Sequence, residues 1–366
     1  MLRLAGPAAA SFFLCLLSIF ALRPLAIAID LIDRPGGRKT HHGDVPIVGG
    51  LAMFMGIILG VGLLPVSEAT GASFLAACAI LVTVGLIDDR FDLSPWTRLP
   101  GQMAASLVFV LGSGLAVTTL GSPFGNGELV LSGHGAIAFT VLITMAAINA
   151  FNMLDGMDGL AGALALTALL AIAFACWTAG LPIAAGLSLV VAGAVCAFLV
   201  FNLPIRFNRQ VRCFMGDAGS TLLGFSVACL CIQASQGPVK ALSPVTTLWV
   251  VALPLYELLW STLRRIIRGV SPFKADSDHF HHLLLKAGFG VRGAFTVFVT
   301  LAALLAVFGL LAARLGLPDH YSFLLLIVTG VGIVRLMYRA HVLWRLIPES
   351  LRRIPPLEPA VRKPGR

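Results

Sequence analysis

Residues 147–162 read AINAFNMLDGMDGLAG and place four polar residues between two apolar runs. Asn149, Asn152, Asp155 and Asp158 recur every three residues, and this spacing puts their side chains near one face of a helix. Oxygen-bearing groups at the edge of a membrane segment are costly to desolvate, so they indicate a functional site. Their chemistry suits a hard cation such as Mg²⁺. The stretch therefore predicts a membrane protein that carries a reactive site.

The composition supports a membrane protein, since the 366-residue chain is 58% hydrophobic, 12% charged and has a mean hydropathy of +0.94. A soluble domain is nearer to half apolar and a quarter charged. Only helices and closed barrels satisfy their backbone in lipid, and long apolar runs favour helices, so we predict an all-α, polytopic integral membrane protein. Eleven apolar windows match a hydrocarbon core about 30 Å thick. They are 8–29, 47–65, 71–87, 100–119, 135–151, 159–178, 182–201, 217–234, 244–263, 294–314 and 320–338.

The first window exceeds the apolar length of a signal peptide, so we expect it to be retained as a helix. Residues 1–338 are predicted to form one transmembrane domain, whose motifs lie between residues 33 and 289. Residues 339–366 form a basic, proline-rich tail, which is expected in the cytoplasm.

Basic residues are distributed unevenly between the two sides that eleven spans would create. Of the 26 lysines and arginines, 21 lie in the tail and in loops of one side, and only Arg3, Lys240 and Arg314 lie on the other. The positive-inside rule places the rich side in the cytoplasm of a bacterial inner membrane, with a periplasmic N-terminus. The net charge of +9 is then explained by this positive-inside bias, with some attraction to anionic lipid head groups, and we expect no nucleic acid partner. The rich-side loops are 30–46, 88–99, 149–158, 202–216 and 264–293.

Two acidic motifs lie on that side. Asp88 and Asp89 end the third window, where adjacent carboxylates suit a metal ion or a general base. A solvated helix end, compensated by Arg90 and Arg98, is the alternative. In FMGDAGS, residues 214–220, glycines lie on both sides of Asp217 at a predicted helix start. A helix N-terminus favours binding of phosphate, and a carboxylate beside it is suited to bind Mg²⁺. The alternative is that Asp217 serves only as the N-cap of the helix.

Two basic motifs lie there as well. His279, His281 and His282 follow Arg264 and Arg265 in the largest loop. Their spacing matches no common zinc site, and arginines would repel a second metal, so we favour recognition of a pyrophosphate. A solvated positive loop remains open. The first loop, DRPGGRKTHHGDVPIVGG at residues 33–50, pairs basic residues with glycines and resembles many cytoplasmic loops.

Five motifs in order resemble those of the polyprenyl-phosphate N-acetylhexosamine-1-phosphate transferases. They are DRPGGRKTHHGDVPIVGG, DDRFD, NAFNMLDGMDGLAG, FMGDAGS and SPFKADSDHFHHLL, and the last resembles the N-acetylglucosamine branch that uses undecaprenyl phosphate. The resemblance implies transfer of N-acetylglucosamine 1-phosphate from UDP-GlcNAc to undecaprenyl phosphate, with release of UMP. It also implies Mg²⁺, for which Mn²⁺ can substitute, and the first membrane step of O-antigen or related surface polysaccharide synthesis.

The same resemblance implies roles for matching residues. Asp217 would bind Mg²⁺ near the donor pyrophosphate, with Asp89 and Asn152 beside it, and Asp88, paired with Asp89, would deprotonate or orient the lipid phosphate. Lys39 would lie near that phosphate. The nucleotide-sugar site would comprise Asn149, Asp155, Asp158, Phe214, Arg264, Arg265, His279, His281 and His282. Phe280 replaces an aliphatic residue of the family, which is a mild departure.

Several alternatives remain open at this stage. The donor sugar could be another UDP-N-acetylhexosamine, such as UDP-GalNAc, UDP-QuiNAc or UDP-FucNAc, because these differ by few contacts. A two-step route through an aspartyl intermediate at Asp88 also fits, and a homodimer is compatible with the sequence. A transporter is disfavoured because the charged groups cluster at one interface and not at the midplane. A non-catalytic scaffold would not need this metal-competent set of carboxylates.

Overall fold

The computed structural model describes residues 2–34, 44–203, 213–271 and 279–346, and most of these residues are helical. A pair of two-residue antiparallel strands, β1 (Ile32–Asp33) and β2 (Val45–Pro46), lies between the first two helices. The helices are α1 (Leu2–Ala28), α2 (Gly49–Gly62), α3 (Glu68–Phe91), α4 (Pro95–Ser113), α5 (Gly133–Leu154), α6 (Leu160–Thr178), α7 (Pro182–Asn202), α8 (Gly216–Ser235), α9 (Pro244–Val250), α10 (Ala252–Ile267), α11 (Phe280–Lys286), α12 (Val291–Arg314) and α13 (Asp319–Leu346). The predicted all-α class is confirmed.

The helices fit a polytopic membrane protein, but with fewer clear spans than predicted. Each of the eleven windows falls on a helix or, for 244–263, on the α9 and α10 pair. Among the described residues, eight helices are long and apolar enough to cross a membrane, or nine if the bent pair is one span. Helix α2 has 14 residues and is only about 21 Å long. Helix α4 carries Arg98 and Gln102 in its first half, which lowers its apolar character.

Helix α8 occupies the centre of the bundle and is buried along almost its whole length. It packs against α2, α3, α5 and α6. Phe225 of α8 stacks on Phe74 and meets Phe109 edge-on, so aromatic rings from three helices join in the core. By contrast α1 and α12 expose large apolar side chains such as Leu17 and Leu304, as expected of faces turned to lipid.

Glycines allow α2 and α3 to approach the first turn of α8 closely. A Cβ atom at Gly50 of α2 would overlap the backbone of Gly219, and one at Gly85 of α3 would overlap the backbone of Ala218. Small residues at helix crossings are common in membrane bundles because they permit such backbone contact. The three helices therefore meet at the end of the bundle that carries the acidic motifs.

Helices α9 and α10 are bent by 84° relative to each other at a short break. Pro254 lies in the first turn of α10, where its ring would clash with the carbonyl of Val250 in a continuous helix. The break falls at Val251 for this reason. The tail predicted from residue 339 begins inside α13, which continues to Leu346, and residues 347–366 lie outside the described part of the chain.

We expect Gly50→Ala to destabilise the protein, because the added methyl group must displace the backbone of α8. Overpacking of this kind costs about 1–3 kcal/mol of unfolding free energy. Gly62→Ala in the same helix is the matched control, since no atom lies within 4 Å of its added Cβ. The apparent melting temperature in detergent should fall for Gly50→Ala only; equal melting temperatures would contradict the close crossing.

Candidate active site

The loop before α2 is joined to the segment before α8. The backbone N–H of Phe214 donates to Pro46 at 3.0 Å, and Gly49 donates to the carbonyl of Phe214 at 2.9 Å. Ile47 and Phe214 form an isolated parallel bridge. This pairing holds Phe214, half-buried, at the entrance to α8, next to the acidic motif. Lys39 lies outside the described residues.

Asp89 caps the N-terminus of α8 from the neighbouring helix α3. Its carboxylate accepts the backbone N–H of Asp217 at 2.7 Å and that of Ala218 at 3.3 Å. The first N–H groups of a helix have no partner within the helix, so the carboxylate supplies one. The sequence predicted a phosphate at this N-terminus, whereas the structure places a protein carboxylate there.

Asp217 is the point at which four helices meet through hydrogen bonds. One of its carboxylate oxygens accepts the side-chain amide of Asn152 from α5, and the other accepts Arg98 from α4 at 3.2 Å. The amide of Asn152 also donates to Ser220 at 3.0 Å, one turn along α8. The predicted residues Asp88, Asp89, Asn152 and Asp217 are thus brought together.

Arg98 bridges two of these carboxylates. Its guanidinium lies 2.7 Å from Asp88 and 3.2 Å from Asp217. The Asp88 side chain is only 2% exposed, and its second oxygen accepts the backbone N–H of Leu93 at 2.8 Å. The Asp217 side chain is 31% exposed, so Asp217 is the more accessible carboxylate.

The donor set fits a magnesium ion better than a softer metal. Asp217 offers carboxylate oxygens, with the side-chain amide of Asn152 and the carboxylate of Asp89 beside it, and the Arg98 guanidinium lies 3.2 Å from Asp217. Within the described ranges, no three histidine, cysteine, aspartate or glutamate side chains converge as a ligand group. Mg²⁺ usually takes one or two carboxylates and completes its shell with phosphate oxygens and water, so such a site suits it.

The rest of the Asn/Asp motif extends from this junction. Asn149 lies one turn before Asn152 on α5 and donates to Gln102 of α4 at 2.8 Å. Asp155 and Asp158 occupy the turn between α5 and α6. Burial raises the pKa of Asp155 well above its ordinary value, and the negative charges of Asp217, Asp89 and Asp158 raise this pKa further. The turn is thus part of the same electrostatic cluster.

The histidines form a second cluster against that turn. The rings of His281 and His282 lie 4.1 Å apart, and those of His279 and His281 are parallel at 5.6 Å. A Cβ atom at Gly156 would lie 2.6 Å from Nε2 of His281, so the absence of a side chain at Gly156 lets the ring reach the turn. The structure therefore joins the predicted histidines to the Asp155–Asp158 turn.

Arg264 and Arg265 lie on α10 and are both buried. Arg264 donates to the hydroxyl of Tyr338 at 2.9 Å, which connects it to α13. The sequence analysis assigned both arginines to the nucleotide-sugar site. The hydrogen bond described for Arg264 is instead to α13, a helix that contains none of the five motifs.

Sequence reasoning missed three residues of this region. Arg98 was interpreted only as compensation for a helix end, although the short connection between α3 and α4 returns it to Asp88. Ser220, one turn after Asp217, received no role. Glu257 received none either, although it is an acidic residue inside an apolar window, which is a signal of function in a membrane helix.

The chain is similar in sequence to known enzymes. The sequence pattern of glycosyl transferase family 4 matches residues 72–235. The undecaprenyl-phosphate alpha-N-acetylglucosaminyl 1-phosphate transferase of Escherichia coli K12 is 38% identical over 301 residues, 82% of either chain. The enzymes of the same name from Salmonella typhimurium and Yersinia pestis are 40% identical over 301 residues (82% of either chain) and 36% identical over 315 residues (86% of either chain).

We expect the protein to lose stability in mild acid through His281. Burial, together with the nearby His282 and His279, lowers the pKa of His281 to about 3. The unfolded chain takes up this proton below its ordinary pKa of about 6.5, whereas the folded chain does not, so stability is complete above about pH 6.5 and falls as the pH decreases toward 3. The loss is at most about 1.4 kcal/mol per pH unit.

The measurement is the melting temperature between pH 7.5 and pH 5 in detergent. His281→Gln should show a shallower decrease than the wild type, while His134→Gln, which alters an exposed histidine, should follow the wild type. If His281→Gln and the wild type lose stability in parallel, His281 is not the group responsible.

Proposed function

The chain belongs to glycosyl transferase family 4, and we propose that it transfers N-acetylglucosamine 1-phosphate from UDP-GlcNAc to undecaprenyl phosphate. The products are undecaprenyl-diphospho-N-acetylglucosamine and UMP. The observation that carries the proposal is the junction at Asp217, where two carboxylates, an amide and a guanidinium from four helices converge. Such a junction suits a metal-assisted transfer between two phosphates.

The donor binds, in this proposal, between the junction and the histidine cluster. Asn149, Asp155 and Asp158 line the nucleotide-sugar pocket with Phe214. The donor phosphates or the sugar are held by Arg264, Arg265, His279, His281 and His282. Support comes from the approach of the His281 ring to Gly156, in the turn that carries Asp155 and Asp158.

The lipid acceptor needs an apolar path beside the junction. A cavity of about 380 Å³ lies between α5, α8, α9 and α10. Its lining includes Ala147, Phe151, Cys231, Leu248, Leu255 and Leu258. The cavity extends from the connection between α4 and α5 to Ala147 and Phe151, which lie in the turns of α5 that carry Asn149 and Asn152. We propose that the polyprenyl chain occupies this cavity with its phosphate at the Phe151 end. Lys39 is proposed to contact that phosphate.

In the reaction, an oxygen of the lipid phosphate attacks the β-phosphorus of the donor. A new phosphorus–oxygen bond forms, the bond to the bridging oxygen breaks, and UMP leaves with the electron pair. Asp217, supported by Asn152 and Asp89, would hold Mg²⁺, which when bound neutralises the pyrophosphate and the leaving group. Asp88 takes the proton of the lipid phosphate or orients it.

We place the site at the cytoplasmic face of a bacterial inner membrane, with the N-terminus in the periplasm. The uneven distribution of lysine and arginine supports this orientation. The product is then the lipid-linked sugar with which O-antigen or a related surface polysaccharide begins.

The test is transfer of labelled sugar from UDP-GlcNAc to undecaprenyl phosphate by the purified protein in detergent. Lipid-linked product and UMP should appear together with Mg²⁺ or Mn²⁺ and disappear with EDTA. Asp217→Asn should lower kcat by about 10²- to 10³-fold, because a group that stabilises developing charge is lost.

Asp92→Asn is the matched control in the neighbouring DDRFD motif. Asp92 is exposed and adopts a left-handed backbone with φ of 51°, which asparagine tolerates, so activity should be retained. Product with another UDP-N-acetylhexosamine, and none with UDP-GlcNAc, would change the proposed sugar. Folded protein that is inactive with every UDP-sugar would overturn the transferase.

Arg98→Gln should lower kcat/KM by about tenfold or more, because two carboxylates lose a charged hydrogen-bond donor. Arg98→Lys should retain part of the activity, because lysine keeps the positive charge. Activity should not be complete, because an ammonium lacks the planar fork with which a guanidinium bridges two carboxylates. Arg90→Gln is the control, because Arg90 lies 3.8 Å from Asp30 and not at the junction. Steady-state assays with both substrates measure these effects; equal losses at Arg98 and Arg90 would exclude a specific role for the bridge.

A further inference from the structure

Helix α10 carries a buried polar stripe. Glu257, Ser261, Arg264 and Arg265 follow one another at positions i, i+4, i+7 and i+8, which lie on one helical face, and all four are buried. The apolar residues Leu259, Leu263, Ile266 and Ile267 of the same helix are exposed. The polar stripe therefore faces the protein interior, and Glu257, at 0% exposed, is its most enclosed member.

Among the described residues, the Glu257 carboxylate has hydrogen-bond partners on both of its oxygens. One oxygen lies 2.9 Å from Nδ1 of His279 and accepts the hydroxyl of Ser261 at 3.0 Å. The other accepts the backbone N–H of Phe280 at 2.9 Å. Burial of a carboxylate lowers the stability of the fold unless the group is hydrogen-bonded. The hydrogen bonds of Glu257 satisfy this need and connect α10 to the start of α11. The side chain of His279 does not cap α11, so Glu257 supplies the acceptor at that end.

We propose that Glu257 is a positioning residue for the nucleotide-sugar site, acting through His279. This inference rests on the proposed function. With Glu257 as its acceptor, Nδ1 of His279 carries a proton, and Nε2 is left as the atom that meets the donor substrate. The ring is also held parallel to that of His281, which contacts the turn at Gly156. One buried carboxylate thus sets the orientation of the histidine cluster relative to the acidic turn.

A double-mutant cycle on UDP-GlcNAc affinity tests the role. The full chain in detergent is titrated with UDP-GlcNAc by calorimetry for the wild type, Glu257→Gln, His279→Gln and the double variant. Each single change should weaken binding about tenfold, and the double variant should bind no more weakly than either single variant, because both changes remove the same positioned ring. Additive losses, or full affinity in Glu257→Gln, would overturn the inference.

Tyr256→Phe is the control for a merely structural effect. It removes the hydrogen bond from the neighbouring residue of α10 to the carbonyl of Leu326, 2.7 Å long and also buried, without touching the histidines. Its melting temperature should fall while its affinity stays unchanged. If the wild type itself fails to bind UDP-GlcNAc, the proposed function fails; if the wild type binds and the cycle is additive, only the role of Glu257 fails.

A measurement on the wild-type protein covers the case in which Glu257→Gln does not fold. Nitrogen-15 NMR of histidine-labelled protein, with His279→Gln used to assign the signal, reports which ring nitrogen carries a proton. A proton on Nδ1 of His279 is expected, and a ring protonated on Nε2 alone would overturn the inference.

Discussion

The N-terminus of α8 lies inside the bundle, and the need to satisfy its backbone N–H groups organises the site. Unpaired N–H groups are costly in a membrane protein, and Asp89 of α3 accepts two of them. This clamp fixes the first turn of α8 and with it the direction of Asp217. Asn152 and Arg98 then reach the Asp217 carboxylate from two further helices. The carboxylate half of the site is thus built around one helix end.

Much of the site could be predicted from the sequence because its motifs are local and polar in an apolar chain. The three-residue spacing from Asn149 to Asp158 predicted one helical face, which is correct only for Asn149 and Asn152, because α5 ends at Leu154 and the two aspartates lie in the following turn. Asn152 is hydrogen-bonded to Asp217. The DDRFD and FMGDAGS motifs were assigned to one side, and Asp89 joins them directly. The helical class followed from composition. The role of Lys39 stays a prediction.

Other features could not be predicted, because they depend on how distant segments pack. Periodicity does not show that Asp89 is used as a cap or that Arg98 bridges two carboxylates, since both contacts cross between helices. The predicted eleven spans are not confirmed, because among the described residues α2 is short and α4 is polar at its start, and eight or nine segments meet the measure of length and apolarity. Glu257 was the exception: a single carboxylate in an apolar window was visible in the sequence, but its partner lies 22 residues away.

Because α10 begins at the break at Val251 and holds His279 through Glu257, the position of the histidine half of the site depends on the orientation of α10. Helix α10 has 16 residues and is about 24 Å long, so it acts as a lever on which one degree of rotation at the joint moves the far end by about 0.4 Å. A displacement of about 1 Å in a catalytic group can cost two orders of magnitude in rate. The hydrogen bonds from Trp260 and Arg264 to Tyr338 of α13 brace this lever in its second half. Helix α13, which carries none of the motifs, therefore contributes to the accuracy of the site by limiting a rotation.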